Sequence, residues 1–427
     1  MSKIEPCLLS ATEAAAAIAA GMLTSEALVR SCLDRIGARE PILHAWAHLD
    51  PELALAQARA ADKTSAGLIR GVPIGVKDII DTYDMPTGHN SPIFAGKMPF
   101  ADAACVALSR TANGVIMGKT VTTEFANRHP GPTVNPHNPM HTPGGSSSGS
   151  AAAVADNHVP LAFGTQTGGS VIRPAAYCGV IGYKPSFGEF SRVGIKMQSP
   201  SADTLGLMAR TLDDIALFRA VVMALPPVAV DRDVAAPRIG FCRTPIWEEA
   251  EPDTKTLLEE TAFKLSAKGC KIVDVAFAPA FEHILDDHGN ITAFEGARNY
   301  SDERLRNPGK VSKELMEGSI ARGLACTFEA YVASQRLSDR YRLYIDSLFD
   351  DVDLLLAPSA PGEAPKGVEF TGDPRFNSLW TLAGTPCITL PAGTGDVGLP
   401  LGIQLVAKRY ADDRLMSQAA WVAAHLK

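Results

Sequence analysis

An α/β fold, with a mixed β-sheet core covered by helices on both faces, is predicted from three observations. Short β-branched runs alternate with helical patterns, residues 71–206 are rich in Gly, Ser, Thr and Pro, and no repeat of fixed period is present. The runs at 72–76, 115–117 and 180–182 read as strands, and 103–113 reads as a helix between two of them.

The chain begins with helices. The alanine-rich run from Ala14 to Ala20 is too short to span a bilayer, and Glu5 and Glu13 spoil the basic entry of a signal peptide. It reads as a helix turned at Gly21. A second helix follows, capped by Thr24 or Ser25, with Leu28, Val29, Cys32, Leu33 and Ile36 on one apolar stripe. After Pro227 the composition is more ordinary. Residues 254–268 read as an amphipathic helix, 271–277 as a strand, and 312–342 as a long charge-rich helical stretch. The charges of that stretch, like Glu295 before it, read as a solvated face. Residues 354–358 and 387–391 read as late strands returning to the sheet. With no long polar linker, the expected organisation is one domain over 1–427. N-terminal helices occupy about 8–65, a core about 66–225, and a more variable half about 226–427.

Composition narrows the class. The 427 residues can bury a large core, and 46% hydrophobic with 20% charged residues excludes a disordered chain. A net charge of -7 without a Lys/Arg-rich run argues against nucleic acid as a partner. The eight cysteines are scattered, with no CxxC pair, so a disulfide framework is not indicated and a cytoplasmic location is expected.

Two segments are unusual enough to carry chemistry. Gly144-Gly145-Ser146-Ser147-Ser148-Gly149-Ser150 precedes the alanine-rich run 151–155, so the backbone can approach something closely just before a helix starts. In Gly164-Thr165-Gln166-Thr167-Gly168-Gly169-Ser170-Val171-Ile172-Arg173-Pro174, the Gly-Gly step before a serine leaves successive N–H groups unhindered. An oxyanion hole needs such donors, and a phosphate loop would use the same ones. The Walker spacing is absent, because Gly114 lies one residue too close to Gly118-Lys119-Thr120.

Three motif matches are decoys. Gly145–Gly149 fits the nucleophile-elbow pattern on Ser147, but Pro139 and Pro143 work against the strand that must precede it. Gly393–Gly398 fits the dinucleotide fingerprint but leads into a strand at 399–406, as a hairpin loop would. His137 and His141 are four apart with Pro139 between them, which is unsuited to a helical metal site.

A serine nucleophile needs a base. No histidine sits in a recognisable constellation and the S-x-x-K spacing is absent, which leaves lysine. Lys77 ends the apolar run of Gly71-Val72-Pro73-Ile74-Gly75-Val76-Lys77-Asp78. On the residues alone, a lysine at a strand end reads as a solvated surface residue, and spacing does not lift Lys77 above that reading, although burial could make such a lysine a base.

Taken together, these segments resemble the amidase signature family over nearly the whole chain. The resemblance includes Gly118-Lys119-Thr120, Glu124-Phe125 and Gly398-Leu399-Pro400-Leu401-Gly402-Ile403-Gln404. It implies a Ser–Ser–Lys triad of Ser170 (nucleophile), Ser146 (bridge, after a cis peptide bond) and Lys77 (ultimate base). It also implies an oxyanion hole from the N–H groups of Thr167, Gly168, Gly169 and Ser170, with Ser147 and Thr165 in support. Cleavage of a small-molecule amide would then pass through an acyl-enzyme, with no cofactor, metal, nucleic acid or membrane, and a homodimer is compatible.

Two departures stand out. Gln166 occupies a position that is Asp in many members, from which altered loop support is expected. Arg173 follows the nucleophile at three residues rather than two, as in malonamidase-type members, where the arginine holds a substrate carboxylate. Its other reading is an arginine that pins a carbonyl or its own helix start. Three functions follow: a free-standing amidase acting on a carboxylate-bearing monoamide such as malonamate, the glutaminase (A-type) subunit of a tRNA-dependent amidotransferase complex, or an aryl/indoleacetamide-type amidase. Residues 280–345 and 365–385 are expected to shape the acyl pocket.

Overall fold

In a computed structural model describing residues 5–64 and 66–426, eleven strands form one mixed sheet. They are β1 (Trp46–Leu49), β2 (Pro73–Lys77), β3 (Val115–Thr120), β4 (Leu161–Gln166), β5 (Ile181–Lys184), β6 (Thr204–Ala209), β7 (Arg238–Arg243), β8 (Lys271–Ala276), β9 (Leu354–Pro358), β10 (Cys387–Thr394) and β11 (Pro400–Val406). Their order across the sheet is β1-β3-β2-β4-β6-β5-β10-β11-β9-β7-β8. The β3-β2-β4 and β9-β7-β8 groups are parallel, and the strands between them run antiparallel. Every residue of β2, β3, β4, β5, β6 and β9 is buried, as strands covered on both faces must be.

The expected N-terminal helices are Ala11–Ala19, closed by a capping box between Ser10 and Glu13, and Ser25–Leu43, capped by Thr24 through the Ala27 N–H. The run 254–268 is the helix Pro252–Ala267. The dinucleotide-like glycines form the turn between β10 and β11, where Gly398 donates to the Gly395 carbonyl. The expected helical stretch 312–342 is broken. A π-helical segment Leu315–Ile320 runs into helix Ala321–Ala325, the chain turns at Cys326, and Thr327 caps a new helix, Phe328–Leu348.

Glu295 corrects the expectation of a solvated face. It is buried on the helix Ile284–Asn299, and its carboxylate accepts from the hydroxyls of Ser199 (2.6 Å), Ser201 (2.5 Å) and Tyr331 (2.8 Å) and from the Ser201 N–H (3.1 Å). Charge patterning along one helix does not register partners supplied from residues 94 to 96 positions away.

No helix among the described residues is long and apolar enough to cross a membrane. All eight cysteines are free thiols.

Candidate active site

Because β2 and β4 are parallel neighbours, Lys77 and Gln166 end their strands at the same edge of the sheet, where loops can converge. Lys77 is not the solvated residue that its position in sequence allowed, because its exposure is 0%. Its Nζ lies 2.7 Å from Ser146 Oγ, 2.8 Å from Thr165 Oγ1 and 3.4 Å from the Thr165 carbonyl. Burial holds this amine well below the ordinary lysine range, and the nearby Asp203 carboxylate opposes that effect. An uncharged lysine bonded to a hydroxyl can take its proton.

The Gly/Ser-rich segment supplies that hydroxyl. The Gly145–Ser146 peptide is cis, and Gly144 has φ +82°, where a Cβ would meet Pro174 Cα at 2.8 Å. The Ser146 carbonyl accepts from the Thr123 N–H, and helix Ser148–Ala155 starts two residues on. Ser147 ties this segment to β4, its Oγ accepting from the Thr165 N–H at 3.3 Å and lying 3.4 Å from the Thr165 carbonyl. Ser147, the decoy nucleophile, is fully buried and follows no strand.

The loop after β4 has its carbonyls occupied. The Thr167 carbonyl pairs with His288 Nε2 (2.8 Å), the Gly168 carbonyl accepts from Thr381 Oγ1 (2.8 Å), and the Gly169 carbonyl accepts from the Arg173 N–H (3.0 Å). Among the described residues, no acceptor takes the N–H of Gly168, Gly169 or Ser170. These residues and Ser170, itself 9% exposed, line a cavity of about 1000 Å³. Unoccupied N–H donors at a cavity wall can hold a developing oxyanion if they converge on it. Gly169 is required by packing, since a Cβ there would lie 2.3 Å from Asn377 Oδ1.

Gln166 explains its own departure. Its Oε1 accepts from the N–H groups of Val171 (2.9 Å) and Ile172 (3.1 Å), and its Nε2 donates to Thr381 Oγ1 (3.1 Å), the group that holds the Gly168 carbonyl. A neutral amide thus accepts on one side and donates on the other, tying the loop to the helix Arg375–Ala383.

Arg173 meets the carbonyl-pinning one of its two expected readings. One terminal nitrogen donates to the Gly145 carbonyl at 2.6 Å, pinning the peptide before Ser146. Its Nε and other terminal nitrogen are buried without a partner, and the side chain lines the cavity. Burial brings the guanidinium down to about 10. It therefore remains a cation at neutral pH, with two donors unused. The cavity wall is drawn largely from the stretches expected to shape it, including Leu285, His288, Thr292, Arg322, Phe370 and Asp373.

The paired histidines make no joint site. His137 Nε2 meets the Cys178 carbonyl, and His141 Nδ1 meets the Ala364 carbonyl. Sequence reasoning missed His288, Thr381, Asp203 and Asn377. Each acts on the loop from far along the chain, and none stands in a motif.

The model of the family described as Amidase matches residues 27–416. The A-type component of the glutamyl-tRNA(Gln) amidotransferase of Chloroflexus aurantiacus is 33% identical, over 96% of this chain and 94% of its own. A solved amidase superposes with a TM-score of 0.88 at 26% identity, covering 98% of this chain and 100% of its own. The native peptide amidase of Stenotrophomonas maltophilia superposes with a TM-score of 0.83 at 27% identity, covering 98% and 96%. These relatives point to the amidase family at large and to A-type amidotransferase components, not specifically to malonamidases. The chain belongs to the amidase family of amide hydrolases.

Proposed function

We propose that the chain hydrolyses the C–N bond of an amide whose far end bears a carboxylate, with Ser170 as nucleophile and Lys77 as base through Ser146. The observation that carries this reading is the buried Lys77 amine, 2.7 Å from Ser146 Oγ, together with a cavity-lining loop whose N–H groups at Gly168, Gly169 and Ser170 have no acceptor among the described residues. Neutral Lys77 takes the Ser146 proton as Ser146 takes that of Ser170, whose Oγ attacks the amide carbon. The N–H groups from Thr167 to Ser170 hold the oxyanion. The proton returns by the same route to the leaving nitrogen, and water then releases the acid from Ser170.

The carboxylate rests on Arg173, because two buried donors of a cation left without partners suit a planar anion. Glutamine and malonamate both satisfy this chemistry. The curated relatives are named as A-type amidotransferase components, which favours glutamine as ammonia donor and brings with it a partner protein; malonamate has no comparable support. Ammonia release from glutamine, malonamate and aryl amides tests the reading, using the chain alone and then with its candidate partner. Wild-type turnover by Ser170→Ala or Lys77→Ala would overturn the triad. Equal use of neutral and carboxylated amides by the wild type would overturn the carboxylate subsite.

A further inference from the structure

Outside the triad, one buried carboxylate faces the reacting groups. Asp203 sits just before β6, which pairs antiparallel with β4, so it lies beside Gln166 and the loop that leaves it. Its Oδ1 accepts from Thr167 Oγ1 at 2.5 Å, and its Oδ2 accepts from the N–H groups of Gln198 (2.7 Å) and Ser199 (2.9 Å). Thr165, Thr167 and Asp203 line one small pocket of about 10 Å³, roughly a single water. Thr165 is also the residue whose hydroxyl accepts from Lys77.

The loop holding Asp203 is itself clamped. Ser199 and Ser201 bond the buried Glu295 carboxylate, and His288, two helical turns earlier on the same helix, meets the Thr167 carbonyl. One helix of the cavity wall therefore grips the oxyanion loop twice, through His288 directly and through Glu295, the serines and Asp203. The charged and titratable groups around the carboxylate are Lys77, Arg192 (whose guanidinium donates to the Asp203 carbonyl), Lys196 and Tyr300; Arg173 acts on Lys77 in the opposite sense, lowering its proton affinity. Burial brings Asp203 up to about 6, so it is ionised above that pH and raises the proton affinity of Lys77 against the desolvation that lowers it.

We propose that Asp203 is a positioning residue of the reaction, holding the oxyanion loop through the Thr167 hydroxyl and setting a fixed negative charge opposite Lys77. Glu295 locks it in place from the Ile284–Asn299 helix. This rests on the assignment of Ser170 and Lys77 above. The role is more than packing because one carboxylate acts on both halves of the chemistry, the donors that receive charge and the base that receives the proton.

The test is the second-order rate at which a fluorophosphonate labels Ser170 of the full chain, followed across pH; the serine oxygen bonds phosphorus and fluoride leaves. Asp203→Asn should lower the plateau rate about tenfold and move the acidic limb down by about one unit, because Lys77 loses its opposing charge. Thr167→Val, which keeps the carboxylate, should lower the rate about tenfold with the limb where the wild type has it. An unmoved limb or a wild-type rate in Asp203→Asn overturns the proposal. Should that variant not fold, a wild-type rate in Thr167→Val overturns it. Ser170→Ala and Lys77→Ala are the controls: labelling of Ser170→Ala at the wild-type rate would defeat the triad itself, a different failure from a silent Asp203.

Discussion

Lys77 Nζ and Ser146 Oγ lie 2.7 Å apart at a place that solvent does not reach, the two residues being 0% and 1% exposed. An ammonium there would be desolvated. The pair is stable only if the amine spends most of its time uncharged or its surroundings compensate the charge.

The first prediction is a pH profile. As Lys77 must be neutral to act, kcat/KM should rise with pH along an acidic limb whose midpoint lies below the ordinary lysine value of 10.5. Lys77→Arg should be inactive at every pH, losing at least about a thousandfold, because guanidinium does not give up its proton. Activity of that variant would show that another group is the base.

The second concerns stability. The folded pKa of Lys77 is depressed, so between that lowered value and 10.5 the unfolded chain binds more protons than the folded one. Stability therefore rises with pH from the lowered value up to the ordinary one. Lys77→Met removes that penalty and should stabilise the chain at neutral pH by about 1–2 kcal/mol while abolishing turnover. Urea melts of the two proteins at neutral pH check the sign.

The third separates the bond that Arg173 makes to the Gly145 carbonyl from its proposed hold on a substrate carboxylate. Arg173→Ala loses the bond to the Gly145 carbonyl as well as the free donors, so kcat should fall for all amides, by about tenfold. KM should rise in addition only for carboxylated ones, by roughly tenfold or more. Steady-state kinetics on a matched neutral and carboxylated pair reads both; an equal KM change for the two would remove the carboxylate subsite.

A fourth prediction tests Gln166. Gln166→Ala strands two helix N–H groups and frees Thr381, and should cost about 1–3 kcal/mol of stability together with activity. Gln166→Glu keeps the acceptor and loses the donor, so it should retain most of the stability and lose mainly kcat. Equal melting of the alanine variant and wild type would refute this account.

The sheet class, most long helices and the hairpin glycines were legible because periodicity and turn chemistry are local. Ser170 stood out for a similar reason, as a serine after a Gly-Gly step, and it lines the cavity. Lys77 was not. Its desolvation comes from partners 69 and 88 residues away, and only family resemblance joined it to Ser146. Glu295 misled for the same reason, as its satisfied burial depends on serines about a hundred residues distant. For Arg173, the carbonyl it pins, Gly145, lies 28 residues away and is named by no local motif.

The single sheet carries one last consequence. Strands from the last quarter of the chain, β9, β10 and β11, are inserted between β5 and β7, so hydrogen-bonded ladders run unbroken from β1 to β8. Such a slab has no crease along which two lobes could swing apart. Substrate and product are then expected to pass through the mouth of the cavity, one wall of which is the Leu315–Ala325 segment, held to Asn127 by the Ser319 hydroxyl.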